Sequence, residues 1–300
     1  MKKILFITAC MLSASIVITG CSSDDIEMTD TTPHLNKNDS IVMVNIYKAI
    51  GPWDSKWEIN DISTWDGLEM AVDEATNEIR IVGFEVYNGT FHGSLPAEIC
   101  KLTELRRLVL TGGDLRGNIP ENIGDLKHLI VLTLGSNKIC GKIPESIGQL
   151  KEVRHLDFRF NELDDTVPES IGKLESLEYL YIYHTKIHGN IPKSLANLKN
   201  LKRAELSENH FSGVFPIEIL RKDFPFCCEN NDITELPFEV WSDDKDIAAP
   251  LLQGNRLSGE VPDWVLETNK WKQDGDVCTR CQQEGYGYTN VTYREQQTNK

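Results

Sequence analysis

Six prolines stand at a strict 24-residue interval, Pro96, Pro120, Pro144, Pro168, Pro192 and Pro216, each directly behind an apolar residue. Those partners are Leu95, Ile119, Ile143, Val167, Ile191 and Phe215; Leu236-Pro237 and Val261-Pro262 continue the series at slightly broken spacing. Half of the chain's 12 prolines therefore fall on one comb, which chance does not produce. A fixed period of this size means stacked supersecondary units, each packed on its neighbours. Fold and function both have to be read coil by coil.

Aligned on the comb, one unit reads Leu126-x-x-Leu129-x-x-Leu132-x-Leu134-x-x-Asn137-x-Ile139-x-Gly141-x-Ile143-Pro144. The next repeats it with Leu150, Val153, Leu156, Phe158, Asn161, Leu163 and Val167, and the one after with Leu174, Leu177, Leu180, Ile182, Thr185, Ile187, Gly189 and Ile191. Alternation at Leu132 and Leu134 is the period of a strand. Three-residue steps through Ile123, Leu126 and Leu129 predict a tight helical turn on the other side. Proline suits the start of that turn, where no backbone donor is needed. Glu121, Glu145 and Glu169 behind it face its positive end. One coil buries too little apolar surface to offset the entropy of ordering it, so stacking has to close the core. The alignment predicts eight coils with strands near 84–88, 108–112, 132–136, 156–160, 180–184, 204–208, 226–230 and 250–254. At about 4.8 Å per strand the stack is about 35 Å long. Asn137, Asn161, Asn209, Asn231 and Asn255 share one slot, where an amide can serve the backbone of adjacent turns. Gly89, Gly113 and Thr185 hold that slot elsewhere, which predicts looser or hydrated coils there.

This pattern resembles the leucine-rich repeat in its plant-type form, as in plant receptor ectodomains and polygalacturonase-inhibiting proteins. The resemblance covers about residues 81–262. It implies an α/β solenoid: a curved right-handed superhelix of about eight coils, with a parallel β-sheet on the concave face and a cap at each end. Residues 41–80 supply the N-terminal cap. Ser40 is placed to start a helix with the apolar face Val44, Ile46, Tyr47 and Ile50, ended by Gly51. Trp53, Trp57 and Trp65-Asp66-Gly67 match the tryptophan-rich cap that precedes many such domains. Residues 263–300 form the other cap, with Trp264-Val265-Leu266 and Trp271 in a closing helix and a polar tail from Gln282.

The first 20 residues read as an export signal, with Lys2-Lys3, an apolar stretch from Ile4 to Ile18 and small residues behind it. Ile18-Thr19-Gly20-Cys21 resembles the lipobox of bacterial lipoproteins, which implies cleavage before Cys21, lipidation of its thiol and attachment to the membrane. Residues 21–40 are polar and are expected to be a disordered tether. Ser22-Ser23-Asp24-Asp25 also resembles the acidic export signal of surface lipoproteins in some Gram-negative bacteria. The expected location is the bacterial cell envelope, lipid-anchored at the outer membrane and facing outward. Removing residues 1–20 takes two lysines and no acid, so the net charge moves from −15 to −17. Such a charge argues against nucleic acid and against contact with anionic lipid surfaces.

No catalytic constellation stands out among the seven histidines or the many carboxylates, and no cofactor or metal is expected. Cys278-Thr-Arg-Cys281 reads first as a capping disulfide, then as free thiols, and last as a metal or redox site. Cys227-Cys228 straddles a strand, which predicts Cys228 inward and Cys227 outward. Cys100 and Cys140 lie at different places on their coils and are not expected to pair.

Function then belongs to the residues between the leucines. The central outward column reads Glu85, Val109, Thr133, Asp157, Tyr181, Glu205, Cys227 and Leu251. The next reads Tyr87, Thr111, Gly135, Arg159, Tyr183, Ser207, Glu229 and Gln253; the preceding one contributes Arg107, His155, Tyr179 and Arg203. Coils four to six thus gather His155, Asp157, Arg159, Phe160, Tyr179, Tyr181, Tyr183, His184, Arg203 and Glu205, the aromatic and arginine composition of an interface hot spot. The expected function is non-enzymatic binding of a protein or peptide partner at this patch, with a surface glycan as the alternative ligand because tyrosines stack on sugar rings. Replacing Tyr181 and Tyr183 by alanine is expected to abolish capture while leaving the melting temperature nearly unchanged.

Overall fold

The computed structural model describes residues 4–7, 33–51, 57–58, 61, 64–220, 225–236, 252 and 254–258. The expectations for Cys21, Trp53, the closing helix, and Cys278 with Cys281 lie outside those residues.

In the uncleaved chain β1 (Ile4–Ile7), within the segment read as the export signal, precedes the cap, which is β2 (His34–Leu35), α1 (Lys37–Ile50) and β3 (Leu68–Asp73). Two expectations are corrected here. Ordered structure begins before residue 40, because β2 pairs with the first repeat strand and α1 starts at Lys37. Asn36, not Ser40, caps α1: its side chain accepts from the backbone N–H of Asn38 and Asp39. The helix buries Val42, Met43, Ile46 and Ile50, a face rotated from the expected one, and it ends at Gly51. The rotation brings Asp39 inward, where its carboxylate accepts from the Arg80 guanidinium at 2.9 and 3.1 Å and from Ile81 N–H at 3.0 Å. Trp57 stacks between Tyr47 and Trp65 at 5.1 and 5.0 Å, the apolar wall that the tryptophans were expected to build.

Each coil then adds a first strand and, beyond a turn, a short second one. In chain order these are β4 (Glu78–Tyr87) and β5 (His92–Ser94), β6 (Arg107–Thr111) and β7 (Asp114–Gly117), β8 (Val131–Thr133) and β9 (Lys138–Gly141), and β10 (His155–Asp157) and β11 (Glu162–Leu163). They continue as β12 (Tyr179–Tyr181) and β13 (His188–Gly189), β14 (Arg203–Glu205) and β15 (His210–Val214), a short α2 (Ile217–Leu220), then β16 (Phe226–Cys227) and β17 (Asp232–Glu235). The first strands form a parallel sheet in the order β4-β6-β8-β10-β12-β14-β16, extended at the cap by antiparallel β3 and β1. Between coils, a 3₁₀ turn follows each comb proline from Pro96 to Pro192 and α2 follows Pro216; each proline carbonyl accepts from the N–H three residues on, as in Ile147 to Pro144 at 3.0 Å. The repeated leucines Leu126, Leu129, Leu132 and Leu134, with their counterparts in neighbouring coils, are completely buried between sheet and turns.

The asparagine slot is a hydrogen-bonded ladder. Asn161 donates to the carbonyls of Leu134 and Phe158 and accepts from Ile139 N–H, all at 3.0 Å. Asn137, Asn209, Asn231 and Asn255 repeat the bridge, each joining its own coil to the one before. The glycine coils are not loose. A β-carbon at Gly89 or Gly113 would lie 2.5 or 2.2 Å from the ring of Phe91, which is completely buried. One aromatic ring thus fills the space of two missing amides, and glycine is needed to admit it.

Candidate functional site

Parallel pairing aligns Glu85, Val109, Thr133, Asp157, Tyr181, Glu205 and Cys227 across seven strands, residue for residue as the repeat alignment expects. Residues that share a column do not share exposure, however. Tyr183 is 3% exposed and Arg203 is 8% exposed. Cys227 is as buried as Cys228, so the expectation that it faces solvent is corrected: its column points out of the core, but neighbouring side chains cover it. Burial pushes the Cys228 thiol well above its ordinary range, and Cys100 and Cys140 are both unpaired.

The ten residues chosen from sequence do come together, as a ridge over β10, β12 and β14. Tyr179 and Tyr181 lie nearly parallel, 8° apart with centroids 6.5 Å apart, and His155 sits 5.9 and 5.4 Å from them. Arg159 lies over Tyr181 and Tyr183 at 5.8 and 5.9 Å and donates to the Tyr183 hydroxyl at 3.2 Å. Phe160, 38% exposed, meets Tyr183 edge-on at 5.2 Å and His184 at 4.9 Å. The His184 ring is bonded in turn to Glu208. Arg203 and Glu205 are bonded to each other on one strand, which largely spends their charge.

Asp157 is the electrostatic centre of this ridge. Its carboxylate is 1% exposed and accepts from Arg159, through the backbone N–H at 3.0 Å and the guanidinium at 3.1 Å. Burial outweighs that partner, so the Asp157 pKa is pushed up to about 6, with Glu205 adding to the rise. Burial likewise lowers the His155 pKa, helped by the nearby Arg159 and Arg107.

Sequence reasoning missed what stands beside the ridge. A groove of about 510 Å³ runs over β6 and β8, with Val109, Thr111, Val131, Thr133 and Gly135 on its floor. One wall is formed by His155, Asp157 and Arg159, so the ridge is also its border. The opposite wall is Tyr87 and Arg107, braced by Glu85, which accepts from the Tyr87 hydroxyl at 2.7 Å and from the Arg107 guanidinium. The hydrogen bond from Arg107 holds the Glu85 carboxyl below its ordinary range. All these residues stand in the aligned columns. The available signal was the run of small side chains between Glu85/Tyr87 and Asp157/Arg159. Among the described residues no group of three or more metal-ligating side chains gathers.

A family model described as a leucine-rich repeat region matches residues 78–218. Residues 78–218 are a leucine-rich repeat region. No curated protein matches the chain at a significant level. Among solved structures, a plant ice-binding protein is 28% identical with a TM-score of 0.63, covering 74% of this chain and 73% of its own. The plant peptide hormone receptor RGFR1, solved in complex with RGF2, is 29% identical with a TM-score of 0.52 over 60% of this chain. The leucine-rich repeat ectodomain of the membrane receptor kinase GASSHO1/SCHENGEN3 from Arabidopsis thaliana, in complex with CASPARIAN STRIP INTEGRITY FACTOR 2, shares the fold at 21% identity, a TM-score of 0.62 and 77% of this chain. This chain spans only 28% and 31% of those two receptor chains.

Proposed function

We propose that the chain is a non-enzymatic, lipid-anchored protein of the bacterial cell envelope that holds a protein or peptide partner on the concave face of its repeats. The observation that carries this reading is the groove over β6 and β8 with an aromatic and arginine ridge along one side. Recessed floor and aromatic border together are the composition of a recognition surface. The solved complex of a 29% identical peptide hormone receptor adds support for a peptide occupant. Anchoring rests on the lipobox-like Ile18-Thr19-Gly20-Cys21 and the acidic segment behind it.

Two experiments test the two parts. Replacing Cys21 by alanine should move the protein from the membrane fraction to the soluble fraction and abolish incorporation of labelled palmitate; unchanged partition defeats the anchor. For binding, residues 21–300 are panned against phage-displayed random heptapeptides, and an enriched peptide is used for hydroxyl-radical footprinting. Protection of Tyr87, His155, Tyr179 or Tyr181 is expected. Failure to enrich any peptide, or protection confined to His92, His188 and His210 on the second strands, overturns the binding reading.

A further inference from the structure

The shape of the groove narrows what can lie in it, given the concave-face reading above. Just past each described first strand one residue has left-handed backbone, and these residues form a rim: Asn88, Gly112, Ser136, Phe160, His184, Glu208 and Asn230. Left-handed backbone suits glycine and asparagine and strains bulky side chains. The rim nevertheless places Phe160, His184 and Glu208 on three successive coils, and Gly112 and Ser136 on the two coils before them. The tall rim therefore fronts the ridge, and the low rim fronts the groove. Ahead of Gly112 and Ser136 stand Thr111 and Gly135, small side chains between Tyr87 and Arg159 in their column. The groove is consequently open at this end, between Tyr87, which is 59% exposed, and Phe160.

Its axis follows the strands and not the solenoid. At Tyr87 the walls stand on β4 and β10, three strand steps apart, or about 14 Å between backbones at about 4.8 Å per step, and they narrow to two steps, about 10 Å, where Arg107 on β6 faces His155 on β10. Once the wall side chains take their share, one extended chain fits between them, whereas a helix, about 10–12 Å across, does not. From Val131 to Ser136 the floor is six residues long, about 20 Å at about 3.3 Å per residue. The charges on the walls are already paired, Glu85 with Arg107 and Asp157 with Arg159. A charged residue entering the groove finds its counter-charge already engaged and has to compete with one of those pairs.

We infer that the groove holds an uncharged peptide segment of about six residues, extended along β6 and β8 and therefore crosswise to the solenoid. Alternate side chains of the segment, apolar and small, face Val109, Val131 and Thr133, and its chain leaves over Gly112 and Ser136 between Tyr87 and Phe160.

The test uses residues 21–300 and a synthetic heptapeptide enriched from the phage library, with affinity read by fluorescence anisotropy. Plugging the open end with Thr111→Trp should weaken binding at least tenfold, and Val131→Trp, which plugs the far end, provides the same reading should the first variant lose its fold. Tyr179→Ala with Tyr181→Ala, which trims the ridge and leaves the groove open, should weaken binding by less than either plug. A benzophenone at one peptide terminus should crosslink to residues 107, 131 or 155, and at the other to 88, 112, 136 or 160. Crosslinks to residues 179–208, or loss of binding in the double-alanine variant but not the plugged ones, overturn the crosswise segment and leave concave-face binding standing. Binding unchanged in all three variants defeats the concave-face reading itself.

Discussion

The two halves of the concave sheet share one backbone, one register and one set of buried leucines, and they present opposite surfaces. Over β6 and β8 the outward columns carry valine, threonine and glycine, and the face sinks into a groove. Over β10, β12 and β14 the same columns carry histidine, tyrosine and arginine, and the face rises into a ridge whose rings and cations cover one another. Relief on a repeat scaffold is thus written in side-chain size alone, because the strands beneath do not move to accommodate it. The border between the halves, at Asp157 and Arg159, is where burial perturbs a titration most usefully for experiment.

The first two coils also differ from the later ones in what ties them together, and this predicts the largest effect. Phe91→Ala empties the completely buried slot shared by two coils at the groove end, and should cost about 3–5 kcal/mol in urea denaturation. Asn161→Ala, in the amide ladder beneath the ridge, strands backbone partners and should cost about 1–3 kcal/mol. An amide that proves the dearer of the two would break the contrast.

Within the ridge, Tyr183→Ala should cost about 2–4 kcal/mol as a large buried side chain. Tyr179→Ala, half-buried, should fall below about 1 kcal/mol. This revises the sequence expectation that Tyr183 can be removed with little change in melting temperature: the ring lies beneath Phe160 and accepts the arginine that borders the groove.

At the border, Asp157 has a folded pKa of about 6 against an ordinary 3.8. The folded state therefore holds the extra proton between those values. The stability this proton contributes is full below about pH 4 and is lost as the pH rises through about 6. Wild type should lose about 1–3 kcal/mol relative to Asp157→Asn between pH 4 and 7, read as unfolding free energy against pH. A pH-independent difference between the two proteins refutes the assignment.

The smallest effect is expected on the rim. Phe160→Asn relieves left-handed strain of about 1 kcal/mol and gives up ring contacts of about 0.5–1.5 kcal/mol, so its melting temperature should stay within a few degrees of wild type. A large drop would show Phe160 to be a core residue and not a residue of the rim.

Much of this was legible in the chain. The comb predicted the repeat strands and turns, and its columns match the strand pairing at Glu85, Val109, Thr133, Asp157 and Tyr181. Eight of the ten ridge residues stand where the columns place them, and Phe160 and His184 stand on the rim beside them. The groove was not seen, since a search for chemistry passes over threonine and glycine, and a cavity is made by what is missing between larger neighbours. The start of α1 was misplaced for a local reason: Asn36 and Ser40 are both competent caps, and the pairing of β2 with β4 favours the earlier one.

Periodicity by itself determined the solenoid, the direction each residue faces, the ladder asparagines and the short range of surfaces where a partner can bind, because a 24-residue repeat leaves each side chain one place relative to the core. Tertiary structure alone decided how deeply the outward residues are covered. That depends on neighbours about 24 positions away, on whether Arg159 lies over Tyr183 and Phe160 meets that ring edge-on, and on whether two glycines admit one phenylalanine. Direction is a property of one coil, and exposure is a property of three.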